Sequence, residues 1–260
     1  MDLGLEDRVA IVGGSSRGIG RAAAQALLAE GARVVVTGRD PDSLGKTEEE
    51  LGAEFGSERV LAECADLVAP GEAARVVEAA KGRWGQIDCA IANVGMGSGA
   101  PGWDVEDNEW ERLFELNFTA DRRLAEAVLP GMIEARAGAI VFVASIVGVE
   151  SVGAPLAYSA AKSALLSYSK NLARQVGEHG IRVNAVAPGN VLFPGGSWER
   201  KLAEDRERFT HYVETEVPLQ RFARPEEIAD SIVFLASSRA SFLTGACIVA
   251  DGGQTRRVAL

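Results

Sequence analysis

The chain has 260 residues, 47% of them hydrophobic and 25% charged, which is enough apolar material for a large core. A net charge of −10 and a pI near 4.9 argue against binding to nucleic acid or an anionic membrane, so any anionic ligand must be held by local features. Cys64, Cys89 and Cys247 lie in apolar strand-like runs, read as buried free thiols rather than a disulfide or metal framework, and no signal peptide or membrane-length apolar run is visible, so a cytoplasmic protein without a metal site is expected.

Arg8–Val12 is an apolar strand that runs into Gly13-Gly-Ser-Ser-Arg-Gly-Ile-Gly20, and Arg21–Glu30 follows at helical spacing, closed by Gly31. Strand, glycine turn and helix in this order form an anion cradle, because N–H groups at a helix start point at phosphate and glycines permit close backbone approach. The glycines are spaced Gly14-x-x-x-Gly18-x-Gly20, unlike the G-x-G-x-x-G of other dinucleotide folds. Ala32–Thr37 is the second strand, ending in Gly38-Arg39-Asp40-Pro41. Where an NAD site places an acid for the ribose 2′-hydroxyl, this chain has Gly38 and then Arg39, whose forked guanidinium suits a 2′-phosphate. Arg17 offers a second cation; the competing reading is two solvated arginines, and Asp40 counts against the phosphate.

Arg59–Glu63 is a third strand, with Asp66 beyond it placed to meet an adenine amino group or merely to turn the chain, and a helix is expected over Pro70–Lys81. Ile87–Ala92 is the fourth strand, followed by Asn93-Val94-Gly95 and a glycine-rich loop, Met96–Trp103, that lines a substrate entrance in this reading. A single long helix over Asn108–Leu129 carries Asn117 among apolar neighbours, where a buried amide needs hydrogen-bond partners; it serves either helix packing or the site. Ala139–Ala144 is the fifth strand, and Ser145 stands at its carboxyl end, where open α/β sheets bind ligands. Tyr158–Val176 reads as a helix with Tyr158 and Lys162 on one face. Ile181–Val186 is the sixth strand, ending in Ala187-Pro188-Gly189. The segment Asn190–Val217 is a candidate lid over an apolar substrate, carrying Phe193, Trp198, Phe209 and Tyr212; the alternative is that these aromatics only pack the segment down. As a lid, it should respond to substitution of Phe193 or Trp198 in substrate choice, with NADPH affinity nearly unchanged. A helix from Pro225 and a strand over Gly245–Ala250, with Asp251-Gly-Gly253 behind it, complete a single domain over residues 1–260.

A free phenol has a pKa of about 10 and is a poor base at neutral pH. A neighbouring ammonium favours the phenolate, and a serine hydroxyl can hydrogen-bond a substrate oxygen as charge grows on it. On its own, a Tyr and a Lys one turn apart are more often simple packing.

Together, the glycine loop, Asp66, Asn93-Val94-Gly95, Asn117, Ser145, Tyr158-x-x-x-Lys162, Pro188-Gly189 and Asp251-Gly-Gly253 resemble the classical short-chain dehydrogenase/reductase family in order and spacing, and are similar to its 3-oxoacyl-acyl-carrier-protein reductases. The resemblance implies a doubly wound Rossmann-type α/β domain whose seven parallel strands run in the order 3-2-1-4-5-6-7 with helices on both faces. It implies a tetrad: Tyr158 moves the proton, Lys162 lowers its pKa and binds the nicotinamide ribose, Ser145 holds the substrate oxygen, and Asn117 supports a water relay. Contacts to NADP(H), favoured over NAD(H), are implied at Gly14, Ser16, Arg17, Gly18, Ile19, Gly20, Arg39, Asp66, Leu67, Asn93, Gly95, Tyr158, Lys162, Pro188, Gly189 and Val191. The implied reaction interconverts a small-molecule carbonyl and a secondary alcohol. A homotetramer is also implied, with Ala157, Ala160, Ala161 and Ala164 permitting close helix approach. Gly13, Val94 and Phe193 depart from the family pattern, Phe193 replacing a threonine near the cofactor amide. Two alternatives stand beside this reading: a non-catalytic NADP-binding scaffold, and a true acyl-carrier reductase docking through a thin basic patch at Arg136 and Arg174.

Overall fold

The computed structural model describes residues 2–258. Its centre is one parallel sheet of seven strands: β1 (Val9–Val12), β2 (Arg33–Gly38), β3 (Val60–Cys64), β4 (Cys89–Ala92), β5 (Gly138–Val143), β6 (Ile181–Pro188) and β7 (Cys247–Ala250). They lie in the order β3-β2-β1-β4-β5-β6-β7, as the resemblance implies. The order reverses between β1 and β4, and a crevice opens there beyond the strands' carboxyl ends.

Successive side chains of a strand point to opposite faces, and the two halves of the core follow that alternation. Ala10, Val12, Val34 and Val36 pack with α1 (Gly18–Ala29), α2 (Pro41–Phe55) and a C-terminal helix over Pro225–Ala236. Ile11, Val35, Ala90 and Ile140 pack on the other face, with α3 (Glu72–Trp84) and two later helices. Both faces are therefore apolar, which is why the strands read as continuous hydrophobic runs.

Several local expectations change. The sequence reading passed over α2, which begins at Asp40: the Asp40 carboxylate accepts the Ser43 N–H at 2.8 Å, and Pro41 occupies the first turn. Asp40 is thus a helix cap, held below the usual carboxylate range by that N–H. The single helix expected over Asn108–Leu129 is α4 (Asp107–Phe114), a π turn (Glu115–Thr119) and α5 (Ala120–Ala135), which continues through Pro130. The π turn falls at Asn117, whose Nδ2 donates to the Leu113 carbonyl at 3.0 Å in competition with the regular ladder. After β5 comes α6 (Leu156–Val176), and the candidate lid is itself helical, α7 (Ser197–Glu204) and α8 (Arg206–Glu216). The last helix is α9 (Pro225–Ala236). Only Cys89 is buried; Cys64 and Cys247 are exposed, because one ends an edge strand and the other lies on the edge strand β7. Among the described residues no helix is long and apolar enough to cross a membrane.

Candidate active site

The glycine turn after β1 is held from below by side chains. Ser15 Oγ donates to the Val12 carbonyl at 2.8 Å and accepts the Thr37 N–H at 2.8 Å, while Thr37 Oγ1 accepts the Gly14 N–H at 3.1 Å. Thr47 of α2 reaches the Ser16 carbonyl, and Asn93 Nδ2 donates to the carbonyls of Gly13 and Gly14 at 3.0 and 3.1 Å. Gly14 and Gly18 have φ of +61° and +57°, which only glycine adopts freely. At Gly20 a Cβ would collide with the Gly14 carbonyl and lie 2.5 Å from Asn93 Nδ2. The cradle thus needs glycine for its closeness as well as its turn. Ser15 and Thr37 were not singled out from sequence, since a Ser and a Thr at strand ends carry no signal until the strands are paired.

A cavity of about 840 Å³ runs from this cradle along the sheet edge. Its wall includes Gly14, Ser16, Arg17, Ile19, Arg39, Asp66, Leu67, Asn93, Gly95, Pro188, Gly189 and Val191, together with Ser145, Tyr158 and Lys162. Of the expected residues, Gly18, Gly20 and Asn117 stand behind the wall. Asp66 lines the cavity and accepts the Val68 N–H at 3.2 Å as a turn residue. The acid position of β2 is Gly38, whose Cβ would meet Ser16 at 3.3 Å, and Arg39 beside it and Arg17 of the glycine turn both line the cavity. These features fit a dinucleotide carrying a 2′-phosphate.

At the far end of the cavity, Ser145 continues β5 in extended conformation, and its Oγ accepts the Val147 N–H at 3.4 Å. The short turn behind it is pressed onto α6, where a Cβ on Gly148 would lie 2.7 Å from the Lys162 backbone. Burial pushes the Tyr158 phenol up, and a hydrogen bond with the Ser145 hydroxyl pulls it back. Lys162 is buried, donates from Nζ to the Val143 carbonyl at 2.9 Å, and is held below the usual lysine range by burial, with Asp121 opposing. Ser145 thus stands beside the phenol, with Lys162 one helical turn further along α6. Asn117 is fully buried and accepts the Met96 N–H at 2.9 Å, so it fixes the loop over the site.

The segment over the cavity is tied to both the cradle and the C-terminal tail. Phe193 lies on the glycine turn, where a Gly18 Cβ would come within 2.6 Å of its ring. Phe193 therefore packs on the cofactor cradle as well as belonging to the segment over the cavity. Trp198 stacks on Tyr212 at 5.6 Å and meets Phe209 and Phe222 at 6.0 and 5.3 Å. The Tyr212 hydroxyl accepts from Gln254, which also accepts from Asn190. The aromatics thus anchor the segment while Trp198, Phe209 and Tyr212 still face the cavity.

A family model described as Enoyl-(Acyl carrier protein) reductase matches residues 14–255. The chain is 34% identical over 251 residues to the 3-oxoacyl-[acyl-carrier-protein] reductase FabG of Escherichia coli, covering 96% of this chain and 98% of that protein. It is 36% identical over 265 residues to the oxidoreductase YvrD of Bacillus subtilis, covering 98% and 99%. Among solved structures it resembles L-sorbose reductase from Gluconobacter frateurii, complexed with NADPH and L-sorbose, with a TM-score of 0.93, 35% identity and coverage of 99% and 100%.

Proposed function

This chain belongs to the short-chain dehydrogenase/reductase family, a family of oxidoreductases acting between carbonyls and alcohols, and we propose that it does so with NADP(H) and with Tyr158 as the acid/base. The observation that carries the reading is one cavity lined both by a glycine cradle with Arg17 and Arg39 and by Ser145, Tyr158 and Lys162. NADPH, when bound, supplies the hydride. Ser145 donates a hydrogen bond to the substrate oxygen, Tyr158 delivers its proton to that oxygen, and Lys162 favours the phenolate that remains. Burial raises the phenol's pKa, which keeps Tyr158 a proton donor through neutral pH.

The ionisable side chains on the cavity wall support a substrate that bears an acidic group. Beyond Lys162, Arg17 and Arg39, the lid contributes Arg200, Lys201 and Arg208, against the single carboxylate Asp66, in a chain of net charge −10. Lys201 Nζ lies 4.1 Å from the Trp198 ring centre, so flat apolar area and positive charge adjoin. Acyl-carrier substrates, the substrates named for the FabG relatives, form a second reading. The basic patch for it is thin, since Arg136 is engaged with the Glu178 carbonyl. Following the family resemblance, we also read the chain as a homotetramer assembled through α6 and the β7 edge.

The test is NADPH and NADH consumption across paired keto acids and their esters, sugars, steroids and acyl thioesters. The expected result is NADPH-dependent turnover with keto acids ahead of their esters. No turnover of any carbonyl in a folded protein that binds NADPH would favour the scaffold alternative.

A further inference from the structure

We infer that Asp121 is a positioning residue for this chemistry: its buried carboxylate is the counter-charge that keeps Lys162 cationic, and it clamps the turn after β4 against that lysine. The inference rests on the reading above, in which Lys162 acts as a cation beside Tyr158.

Asp121 stands one helical turn beyond Asn117, on the same face, and is fully buried. Its Oδ1 accepts the Val94 N–H at 2.9 Å, and Asn117 Oδ1 accepts the Met96 N–H at 2.9 Å. The two side chains thus hold both ends of Val94-Gly95-Met96. Gly95 between them is pressed inward, where a Cβ would lie 2.9 Å from Asn117 Oδ1 and 3.2 Å from Lys162 Nζ. The other carboxylate oxygen, Asp121 Oδ2, is buried and has no hydrogen-bond partner among the described residues.

A bare carboxylate oxygen is a costly way to fill a helix–sheet seam, where an apolar side chain of similar size would be cheaper. The charge that offsets it is the Lys162 ammonium, which lies against Gly95 of the same turn and acts across the seam without a direct ion-pair contact. Other charges near this seam are committed elsewhere: Arg122 to Glu126, Arg123 to Glu115, and Lys81 to Glu78. In β4 and β5 the one ionisable side chain is Cys89, which faces the opposite half of the core. On α6 the remaining titratable neighbour of Lys162 is Tyr158.

Burial penalises each ion, and each offsets the penalty of the other. Burial pushes the Asp121 carboxyl up to about 7, with Lys162 and the Val94 N–H opposing, while Lys162 is pulled down by burial with Asp121 opposing. Removing the carboxylate leaves a buried ammonium with only a carbonyl partner, which surrenders its proton at lower pH.

Asp121→Asn keeps an oxygen for the Val94 N–H and removes the charge. In kcat/KM against pH for carbonyl reduction, its alkaline limb is expected about one pH unit or more below that of the unaltered chain. Superimposable profiles overturn the inference, because a purely structural carboxylate costs activity alike at every pH. A second readout needs neither turnover nor that variant: the Val94 amide resonance of the ¹⁵N-valine-labelled full chain. It is expected to titrate with a midpoint near 7, and to move to higher pH in Lys162→Met, since the coupling is reciprocal. A Val94 resonance that stays flat between about pH 5 and 9, or a midpoint indifferent to Lys162→Met, overturns the inference even where Asp121→Asn fails to fold. If no carbonyl is reduced while the amide titrates as expected, the reaction assignment fails and the coupling between Asp121 and Lys162 stands, so the two failures are distinguishable.

Discussion

At Gly20 the helix start comes so close to the glycine turn that no side chain fits, which makes Gly20→Ala a sharp probe of the cradle. The added methyl must displace the Gly14 carbonyl or the Asn93 amide. The expected outcome is NADPH binding weakened by roughly tenfold or more, about 1.4 kcal/mol, in a protein that still folds; calorimetric titration checks it. Gly38→Asp with Arg39→Ala puts a carboxylate beside Ser16 in place of a cation, and the ratio of NADPH to NADH affinity should fall. An unchanged ratio would mean that Arg39 is only solvated. At this scale the sequence was informative where the backbone requires glycine, as at Gly14, Gly18 and Gly20. Ser15, Thr37 and Asp121 were opaque, because each acts on a backbone group far away in the chain, such as the Gly14 N–H across from Thr37.

The elements repeat that lesson. Strands were legible because both sheet faces are covered, so each reads as an unbroken apolar run. The π turn was not, since its cause is the Asn117 amide competing for the Leu113 carbonyl, which helical periodicity does not register. Trp198 of α7 binds the two helices over the cavity together through Phe209 and Tyr212 of α8, and reaches Phe222 beyond them. Trp198→Ala should therefore loosen α7 and α8 as a unit: faster proteolytic nicking over residues 190–217, a raised Michaelis constant, and little change in helix content elsewhere. Phe193→Thr should differ by also weakening NADPH binding several-fold, because its ring covers the turn at Gly18. At the start of α9, Glu227 accepts the Arg224 N–H at 2.8 Å and pairs with Arg221 at 2.7 Å. These partners, Arg221 first, hold its carboxyl down to about 2, so its contribution to stability is present above 4.5 and lost as pH falls towards 2. Glu227→Gln should accordingly lower the thermal midpoint at neutral pH, with the difference from the unaltered chain shrinking across that window.

For the whole molecule, β7 ends the sheet with its outer edge unpaired among the described residues, and Phe242, Leu243 and Val249 are exposed near it. An open apolar edge is an aggregation hazard unless covered, and a second copy meets that need. Light scattering at micromolar concentration is expected to give four times the chain mass of 27.4 kDa, and a monomer would refute the proposed assembly. The proposed function rests on the union of a dinucleotide cradle with Ser145, Tyr158 and Lys162 around one cavity. The measurement that reaches it most directly compares carbonyl reduction by the unaltered chain and by Tyr158→Phe, with NADPH affinity measured in parallel. The account requires turnover to fall by roughly 10²-fold or more with NADPH affinity preserved, the loss expected of a removed general acid. A folded Tyr158→Phe protein that reduces the same carbonyl at the unaltered rate would contradict it.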